Sequence, residues 1–564
     1  MVEKLRCPGG NDLWAAALLL ALAAPAGALE LKGPQLGAAS NFGQHWLPQM
    51  LAAALALPVR NFRDAVYWDE VEKAGRFVFA TKSTTYPDLI AGAHATMSLT
   101  VNNGHPDYDH GVTPYTPAAI AAFAHDAAVT VQRFPAITAV EVGNEINSQN
   151  FVTGPVKAAG LSQRALDYLA ILKAVHAAVK AVNPKVRVLG GGVHSIPVGY
   201  LAPMFAAGAA QDMDSLALHT YTTPAEQLVR QVAVFRQLPG AADLPLDVTE
   251  FGEPDMAKAP AHLLRNYCQM ALSGVARAVW YPLNPRGDGM APLIDAEDRV
   301  TPVGHAYQQV SALMEGRPVA NVAPDPFTYA CLFGGRTLVI WGAPRKVTLG
   351  RPDLKATDPS GTALDPARLS LSENAPLVIT GAAPLGLGNG VELAPQQVVA
   401  DSYDQFAYPG VADQPTDPFE RFAREGAAEL PLQTRPGQER QGAPWTPYLA
   451  VPNTSSARLT ADVVLPGAHI DKQVVIVQRY TAPQDMAVVA RADLSPARHS
   501  TDGIRFDLTL NGKSQIGTVL TAPAVETTGV MHLKAGDRLD FAVGPNVTPN
   551  GDATGYRFTL RRAE

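Results

Sequence analysis

The sequence contains only three cysteines in 564 residues, Cys7, Cys268 and Cys331. No two of them have the spacing of a metal site, so no cysteine-ligated metal centre is predicted. Cys268 and Cys331 either form a disulfide in an oxidising compartment or remain two buried thiols. The sequence leaves both alternatives open.

Concentrated positive charge is also lacking. The formal net charge is -7, and no stretch gathers lysine and arginine onto one face, so nucleic acid is not a predicted partner. No glycine-rich phosphate loop follows the first predicted strand. No other group of residues has the spacing of a metal or cofactor site, and the sequence therefore predicts a protein that works without a cofactor.

Long apolar runs are absent beyond the N-terminus. Lys4 and Arg6 precede an apolar run at 13–24, which is followed by the small residues 26–28. This arrangement is typical of a signal peptide over residues 1–28, with an uncleaved membrane anchor as the alternative. We therefore expect a secreted or periplasmic protein with no membrane span after removal of the signal.

The region from 29 to 316 alternates short apolar runs with amphipathic helical patterns. This alternation predicts parallel strands joined by helical crossovers. Eight runs over this length are typical of a (β/α)₈ barrel, and an open doubly wound sheet is the alternative. The predicted strands are 36–40, 59–62, 96–101, 137–142, 186–189, 215–219, 245–249 and 278–281.

The pattern changes to strands alone after the barrel region. Residues 317–382 predict a small β-domain, residues 383–397 a linker, and residues 398–564 a β-sandwich. The sandwich either binds carbohydrate or only buttresses the barrel. Its compact aromatic pair, Trp445 and Tyr448, faces either a glycan or the core.

Two glutamates end predicted barrel strands. The fourth strand runs into Gly143, Asn144 and Glu145, and the seventh carries Glu250 at its tip. All C-terminal strand tips of a parallel barrel open on one face, so these carboxylates are expected to face one cavity. Taken singly, each is more simply a strand-end acid in a salt bridge. Taken together, they are the pair that glycoside cleavage requires.

The two tips resemble the clan A retaining glycoside hydrolases. In that clan an acid/base glutamate follows an asparagine at the end of strand four, here Asn144 and Glu145, and a nucleophile glutamate ends strand seven, here Glu250. Residues 61–72, NFRDAVYWDEVE, are similar to the strand-two segment of glycoside hydrolase family 39 and its exopolysaccharide-cleaving relatives, with Arg63 matching.

Further segments extend the resemblance through the barrel and the small β-domain. Loop 101–111 with Asn103 is similar to the strand-three loop of these enzymes. The segment LALHTY resembles the end of strand six and supplies His219 and Tyr221. Trp280 stands where the clan usually has a tryptophan on strand eight.

The resemblance implies a role for each matching residue. Glu145 acts first as general acid and then as base, and Glu250 is the nucleophile. Asn144 holds the 2-hydroxyl of the sugar, or is a capping residue. Arg63 and Tyr221 are the candidates for donors that keep Glu250 ionised, with a plain packing role as the alternative for Tyr221.

Three more residues are expected to bind substrate. His219 contacts the sugar or orients a carboxylate, Asn103 lines the subsite, and Trp280 forms a platform under the sugar ring or packs in the core.

The predicted function is that of a retaining glycoside hydrolase acting on a polysaccharide or oligosaccharide. The family likeness points to a bacterial exopolysaccharide as the substrate. The alternative is a non-catalytic glycan-binding or adhesion protein on the same scaffold.

Overall fold

The computed structural model describes residues 31–44, 49–452, 456–469 and 472–563. The predicted signal peptide lies outside the described residues. No helix among the described residues is long and apolar enough to cross a lipid bilayer.

Eight parallel strands close into a barrel, which confirms the predicted fold class. Each strand pairs with its neighbours in chain order, and the last strand pairs with the first to close the ring. The strands are β1 (Gln35–Ala39), β2 (Asn61–Asp64), β3 (Thr96–Val101), β4 (Ile137–Val142), β5 (Arg187–His194), β6 (Ser215–His219), β7 (Leu246–Phe251) and β8 (Val275–Trp280).

Helices cover the outside of the barrel. They are α1 (Gln49–Ala56), α2 (Trp68–Val71), α3 (Lys82–Gly92), α4 (Pro117–Arg133), α5 (Gly154–Ala158), α6 (Leu161–Val182), α7 (Val198–Ala206), α8 (Leu228–Phe235), α9 (Ala259–Leu272) and α10 (Pro302–Leu313). Two of them begin with a threonine cap followed by proline: Thr116 before α4 and Thr301 before α10. The threonine hydroxyl accepts a free backbone N–H of the first turn, and proline needs no partner there.

Strand β5 extends five residues beyond the predicted 186–189. Its extension contains three consecutive glycines, which have low strand propensity and hide the strand in the sequence. Gly191 and Gly192 have φ of 94° and 52°, and the pairing with β6 shifts between Gly191 and Val193. This bulge carries the chain onward to His194 at the strand tip.

The small β-domain consists of two sheets and includes most of the segment that was predicted to be a linker. Gly386–Leu387 and Gly390–Leu393 are strands, and the second pairs with Val347–Leu349. The glycine-rich turn between them suggested a linker, but Val391 is fully buried in the domain core. The other strands are Val319–Asn321, Thr328–Phe333, Thr337–Gly342, Lys355–Thr357 and Leu377–Thr380.

The C-terminal region is built from two larger antiparallel sheets. The first contains Val398–Asp401, Gln433–Arg435, Tyr448–Ala450, Arg458–Leu459, Val463–Leu465, Met486–Pro496, Ala524–Thr527, Met531–Leu533 and Thr554–Arg562. The second contains Phe419–Glu425, Ala428–Pro431, Gly467–His469, Lys472–Thr481, Ile504–Leu510, Lys513–Leu520 and Arg538–Pro545.

A disulfide joins the barrel to the small β-domain. It links Cys268 of α9 to Cys331, and both residues are buried. Glu226 of the barrel contacts both accessory regions, because its side chain accepts hydrogen bonds from Trp341 of the small β-domain (2.9 Å) and from Tyr403 of the C-terminal region (3.0 Å). These contacts fix both accessory regions against the barrel that carries the candidate site.

Candidate active site at the barrel mouth

The tip of β4 presents Glu145 in an unusual backbone conformation. Gly143 has φ of 88°, and a Cβ there would lie 2.5 Å from a side-chain carbon of Ile146. Glu145 itself has φ of 43°, in the left-handed region that side-chain-bearing residues rarely occupy. Such strain typically costs about 1–3 kcal/mol and persists at functional sites. Glycine at 143 is therefore required by the turn that aims Glu145.

Glu250 ends its strand facing the same space. Its carboxylate accepts hydrogen bonds from Arg63 Nη1 and from Tyr221 Oη, the latter at 2.8 Å. One ligand-type atom from each of Glu145, His219 and Glu250 lies within 4.8 Å of the other two. The two carboxylates are therefore near the ~5 Å separation of retaining glycosidases, rather than the 6.5–9.5 Å of inverting ones.

Arg63 on β2 connects three strand tips. Its Nε contacts Glu141 Oε2, its Nη1 contacts Glu250, and its Nη2 donates to Asn144 Oδ1 at 2.9 Å. Burial opposes its charge, but the neighbouring carboxylates Glu141 and Glu250 raise the pKa of Arg63 above its ordinary value. Arg63 thus positions both predicted catalytic tips with a permanent positive charge.

Glu141 is a buried carboxylate beneath the site that the sequence analysis missed. It is fully buried, and its oxygens accept hydrogen bonds from Arg63 Nε at 2.5 Å and Thr249 Oγ1 at 2.9 Å. Burial works against its ionisation, but Arg63 and His219 lower the pKa of Glu141 to about 2. It points into the barrel interior, on the same face of β4 as Ala139. An acidic residue in an otherwise apolar predicted strand was the feature of the sequence that could have identified Glu141.

His219 lies between all three carboxylates. Its Nε2 is 3.3 Å from Glu141, and its Nδ1 is 3.3 Å from Glu145 and 3.5 Å from Glu250. Burial lowers the pKa of His219, but Glu250, Glu141 and Glu145 outweigh it and raise the pKa to about 9. At neutral pH both ring nitrogens therefore carry protons.

Glu145 contacts two histidines. Its Oε1 is 2.9 Å from Nδ1 of His194 and 3.3 Å from Nδ1 of His219. Burial raises the pKa of Glu145, but the hydrogen bonds from these histidines outweigh it and lower the pKa to about 2. The sequence analysis gave His194 no role. The resting carboxylate is ionised, and the nearest mobile proton is on a histidine.

These groups open into a cavity of about 560 Å³. Six of the residues predicted to form the site line it: Arg63, Asn103, Asn144, Glu145, Tyr221 and Glu250. His219 lies beneath them and is fully buried. The sequence analysis missed Tyr281 and Arg286, which also line the cavity. The ring of Tyr281 lies 6.2 Å from that of Tyr221, and the Arg286 guanidinium lies 5.3 Å from the centre of the Tyr281 ring.

Trp280 does not form a platform under a sugar. It is fully buried, its Nε1 donates to the carbonyl of Ala291 at 3.0 Å, and its ring packs edge-on against Phe251. Successive strand residues point to opposite faces, so the next residue, Tyr281, lines the cavity instead. Of the two roles expected for Trp280, the structure supports core packing.

Comparison with known proteins identifies similar folds. No protein-family model matches the chain, and no curated protein matches it. The structure of a family 39 glycoside hydrolase from the gut symbiont Bacteroides cellulosilyticus WH2 is similar to this chain with a TM-score of 0.51. The two are 17% identical, over 62% of this chain and 81% of that one.

Two further solved structures are more distant. A GH39 β-xylosidase from Caulobacter crescentus has a TM-score of 0.42 and 16% identity, over 63% of this chain and 98% of that one. The GH39 enzyme from Xanthomonas axonopodis pv. citri has a TM-score of 0.42 and 13% identity, over 91% and 94%. The predicted resemblance to family 39 and related clan A enzymes is therefore confirmed at the level of fold.

Proposed function

We propose that the chain is a retaining glycoside hydrolase that uses Glu250 as nucleophile and Glu145 as general acid and base. The observation that carries this proposal is the approach of the two carboxylates to within 4.8 Å in one cavity at the barrel mouth. A pair at this separation leaves no room for a water between carboxylate and sugar, so direct attack by a carboxylate is favoured.

In the first step, Glu250 attacks the anomeric carbon while the leaving oxygen takes a proton from Glu145. The products are a glycosyl ester on Glu250 and the released alcohol. Arg63 and Tyr221 each donate a hydrogen bond to Glu250, which keeps the nucleophile ionised and oriented before attack. Asn144, held by Arg63 at 2.9 Å, faces the cavity and is placed to contact a sugar hydroxyl.

The proton for this step is stored on His219. Glu145 is ionised at rest, but His219 Nδ1 is 3.3 Å from its Oε1 and is protonated at neutral pH. Transfer from His219 gives Glu145 the proton that it passes to the leaving oxygen. In the second step Glu145 takes a proton from water as the water opens the glycosyl ester and releases the Glu250 carboxylate. Glu145 then returns this proton to His219, which restores the resting protonation state.

The substrate class is a polysaccharide or oligosaccharide, and the protein acts outside the cytoplasm. An open cavity at the mouth of a barrel, lined by both polar and apolar side chains, suits a sugar chain. The disulfide between Cys268 and Cys331 supports a secreted or periplasmic location, because such bonds persist in oxidising compartments.

The test is to trap the covalent intermediate. A panel of 2-deoxy-2-fluoro glycosyl fluorides, including units of bacterial exopolysaccharides, is incubated with the protein, and the labelled peptide is identified by mass spectrometry. We expect a stable adduct on Glu250 with at least one sugar, because the fluorine slows hydrolysis of the ester. Absence of any adduct across the panel would leave the glycan-binding alternative.

Variants separate the two roles. Glu250→Gln should abolish labelling and turnover. Glu145→Gln should slow cleavage of sugar leaving groups by about 10²–10⁴-fold but still cleave dinitrophenyl glycosides, which need no general acid. Glu253→Gln is the matched control: its side chain contacts His262 and not the cavity, so activity should be retained. Equal activity of all three variants would refute the assignments.

A further inference from the structure

A loop of the C-terminal sandwich reaches the side of the site that carries Glu145. Gln438 in this loop is buried, has φ of 52°, and exchanges two hydrogen bonds with Asn147 of the barrel. Its Oε1 accepts from Asn147 Nδ2 at 2.7 Å, and its Nε2 donates to the Asn147 carbonyl at 3.0 Å. The backbone N–H of Gly199 also donates to the carbonyl of Gly437 at 2.8 Å. The loop is thus anchored to the barrel.

The residues that anchor the loop are connected by further contacts to Glu145, the predicted general acid. Asn147 Oδ1 accepts from the backbone N–H of His194 at 2.9 Å, and its Nδ2 donates to the His194 carbonyl at 3.1 Å. The ring of His194 in turn contacts Glu145 at 2.9 Å. A residue of the sandwich is therefore two contacts away from His194 and three from the acid itself.

Trp445 in the same loop presents an aromatic face next to His194. The two rings pack edge-on with centroids 5.3 Å apart. Trp445 is 37% exposed, whereas Trp68, Trp280 and Trp341 are at most 3% exposed. Tyr448, the second aromatic residue of this pair, is buried and bonds to Glu439. Only Trp445 of the pair is available to a ligand.

A second cavity of about 280 Å³ lies beside Trp445, between the barrel and the sandwich. Amide side chains offer both donors and acceptors, which is what sugar hydroxyls require. Trp445 and the amides of Gln149, Asn150 and Gln441 line this cavity, together with Asn147 and Gln438, whose amides form the anchor described above.

We propose that Trp445 and this cavity form the subsite for the leaving-group sugar, so that the C-terminal sandwich selects what lies beyond the scissile bond. The inference rests on the proposed function. Glu145 protonates the leaving oxygen, so the leaving sugar lies next to Glu145. His194 contacts Glu145, Trp445 packs against His194, and the exposed part of the indole offers an aromatic surface for a sugar ring.

The experiment compares two substrates that share the glycone identified by labelling. One is the glycosyl fluoride, whose leaving group has no ring, and the other is a disaccharide with a sugar leaving group. For Trp445→Ala, the ratio of kcat/KM for the disaccharide to kcat/KM for the fluoride should fall about 5- to 10-fold, as expected for the loss of one stacking contact. Trp445→Phe should restore most of the ratio.

Tyr115→Ala is the control, because Tyr115 is 43% exposed and lines neither cavity, and its ratio should match that of the parent. An unchanged ratio in Trp445→Ala, with Glu250 still labelled, overturns the subsite and leaves the proposed function standing. Equal losses on both substrates also overturn it, because they show that Trp445 only supports the catalytic groups. Failure to label Glu250 with any probe overturns both proposals.

Discussion

Replacing Glu141 by glutamine should release the proton that His219 keeps at neutral pH. Burial alone would hold His219 neutral, and the surrounding carboxylates raise its pKa from 6.5 to about 9. That rise corresponds to about 3 kcal/mol. A unit charge at the 3.3 Å between Glu141 and His219 contributes roughly 5 kcal/mol at an effective dielectric constant of about 20. Glu250 contributes most to the raised pKa and Glu141 adds a hydrogen bond, so loss of Glu141 should lower the pKa of His219 from about 9 towards 6.5.

The assay is an NMR titration of protein labelled with ¹³C at the Cε1 atoms of histidine. The resonance of His219 is identified by its loss in His219→Asn. In the parent the midpoint should lie near 9, and in Glu141→Gln it should move down towards 6.5. Glu141→Asp keeps the charge and should keep a raised midpoint, which separates the charge of residue 141 from its packing.

Stability gives a second measure with a defined sign. The folded-state pKa of His219 is raised, so its contribution to stability is complete below pH 6.5 and is lost as the pH rises to about 9. The midpoint of urea unfolding should fall across this window in the parent and change less in Glu141→Gln. A His219 titration still centred near 9 in folded Glu141→Gln protein would refute the reasoning.

Three further substitutions and one control, Gly410→Ala, test other parts of the structure. Gly143→Ala should lower kcat and the melting temperature, because its Cβ would lie 2.5 Å from Ile146. Gly410→Ala, which has φ of 80° and no heavy atom within 4 Å of the added Cβ, should cost only the backbone strain. Cys268→Ser should reduce unfolding free energy by up to about 4 kcal/mol in urea titrations, and unchanged stability would argue against a structural disulfide. Trp280→Phe should lower the melting temperature without raising KM, and the opposite result would restore the platform role.

The sequence was sufficient to predict the elements whose signals are local. Alternating strand and helix patterns predicted the eight-stranded barrel, and the positions of Glu145 and Glu250 at strand tips predicted that they would meet. Both predictions depend on the spacing of apolar residues along the sequence and on the common direction of parallel strands.

The parts that the sequence did not predict depend on contacts between distant segments. Glu141 reads as one polar residue in an apolar strand, and only its neighbours Arg63 and His219 reveal a buried charge cluster. His194 follows glycines that conceal the end of its strand. Trp280 and Tyr281 are adjacent, and only the pleat of the closed barrel decides which one faces the cavity.

The charge cluster explains why a third carboxylate belongs beneath the site. With His219 protonated, Arg63 and His219 supply two positive charges against the three negative charges of Glu141, Glu145 and Glu250. The net charge of -1 suits an oxocarbenium-like transition state, which develops positive charge at the sugar. Without Glu141, His219 would lose the partner that helps to keep its proton, and Arg63 would lose its buried carboxylate partner. Glu141 therefore allows the site to hold a proton on His219 and an arginine on Glu250 while the cluster as a whole keeps a negative charge.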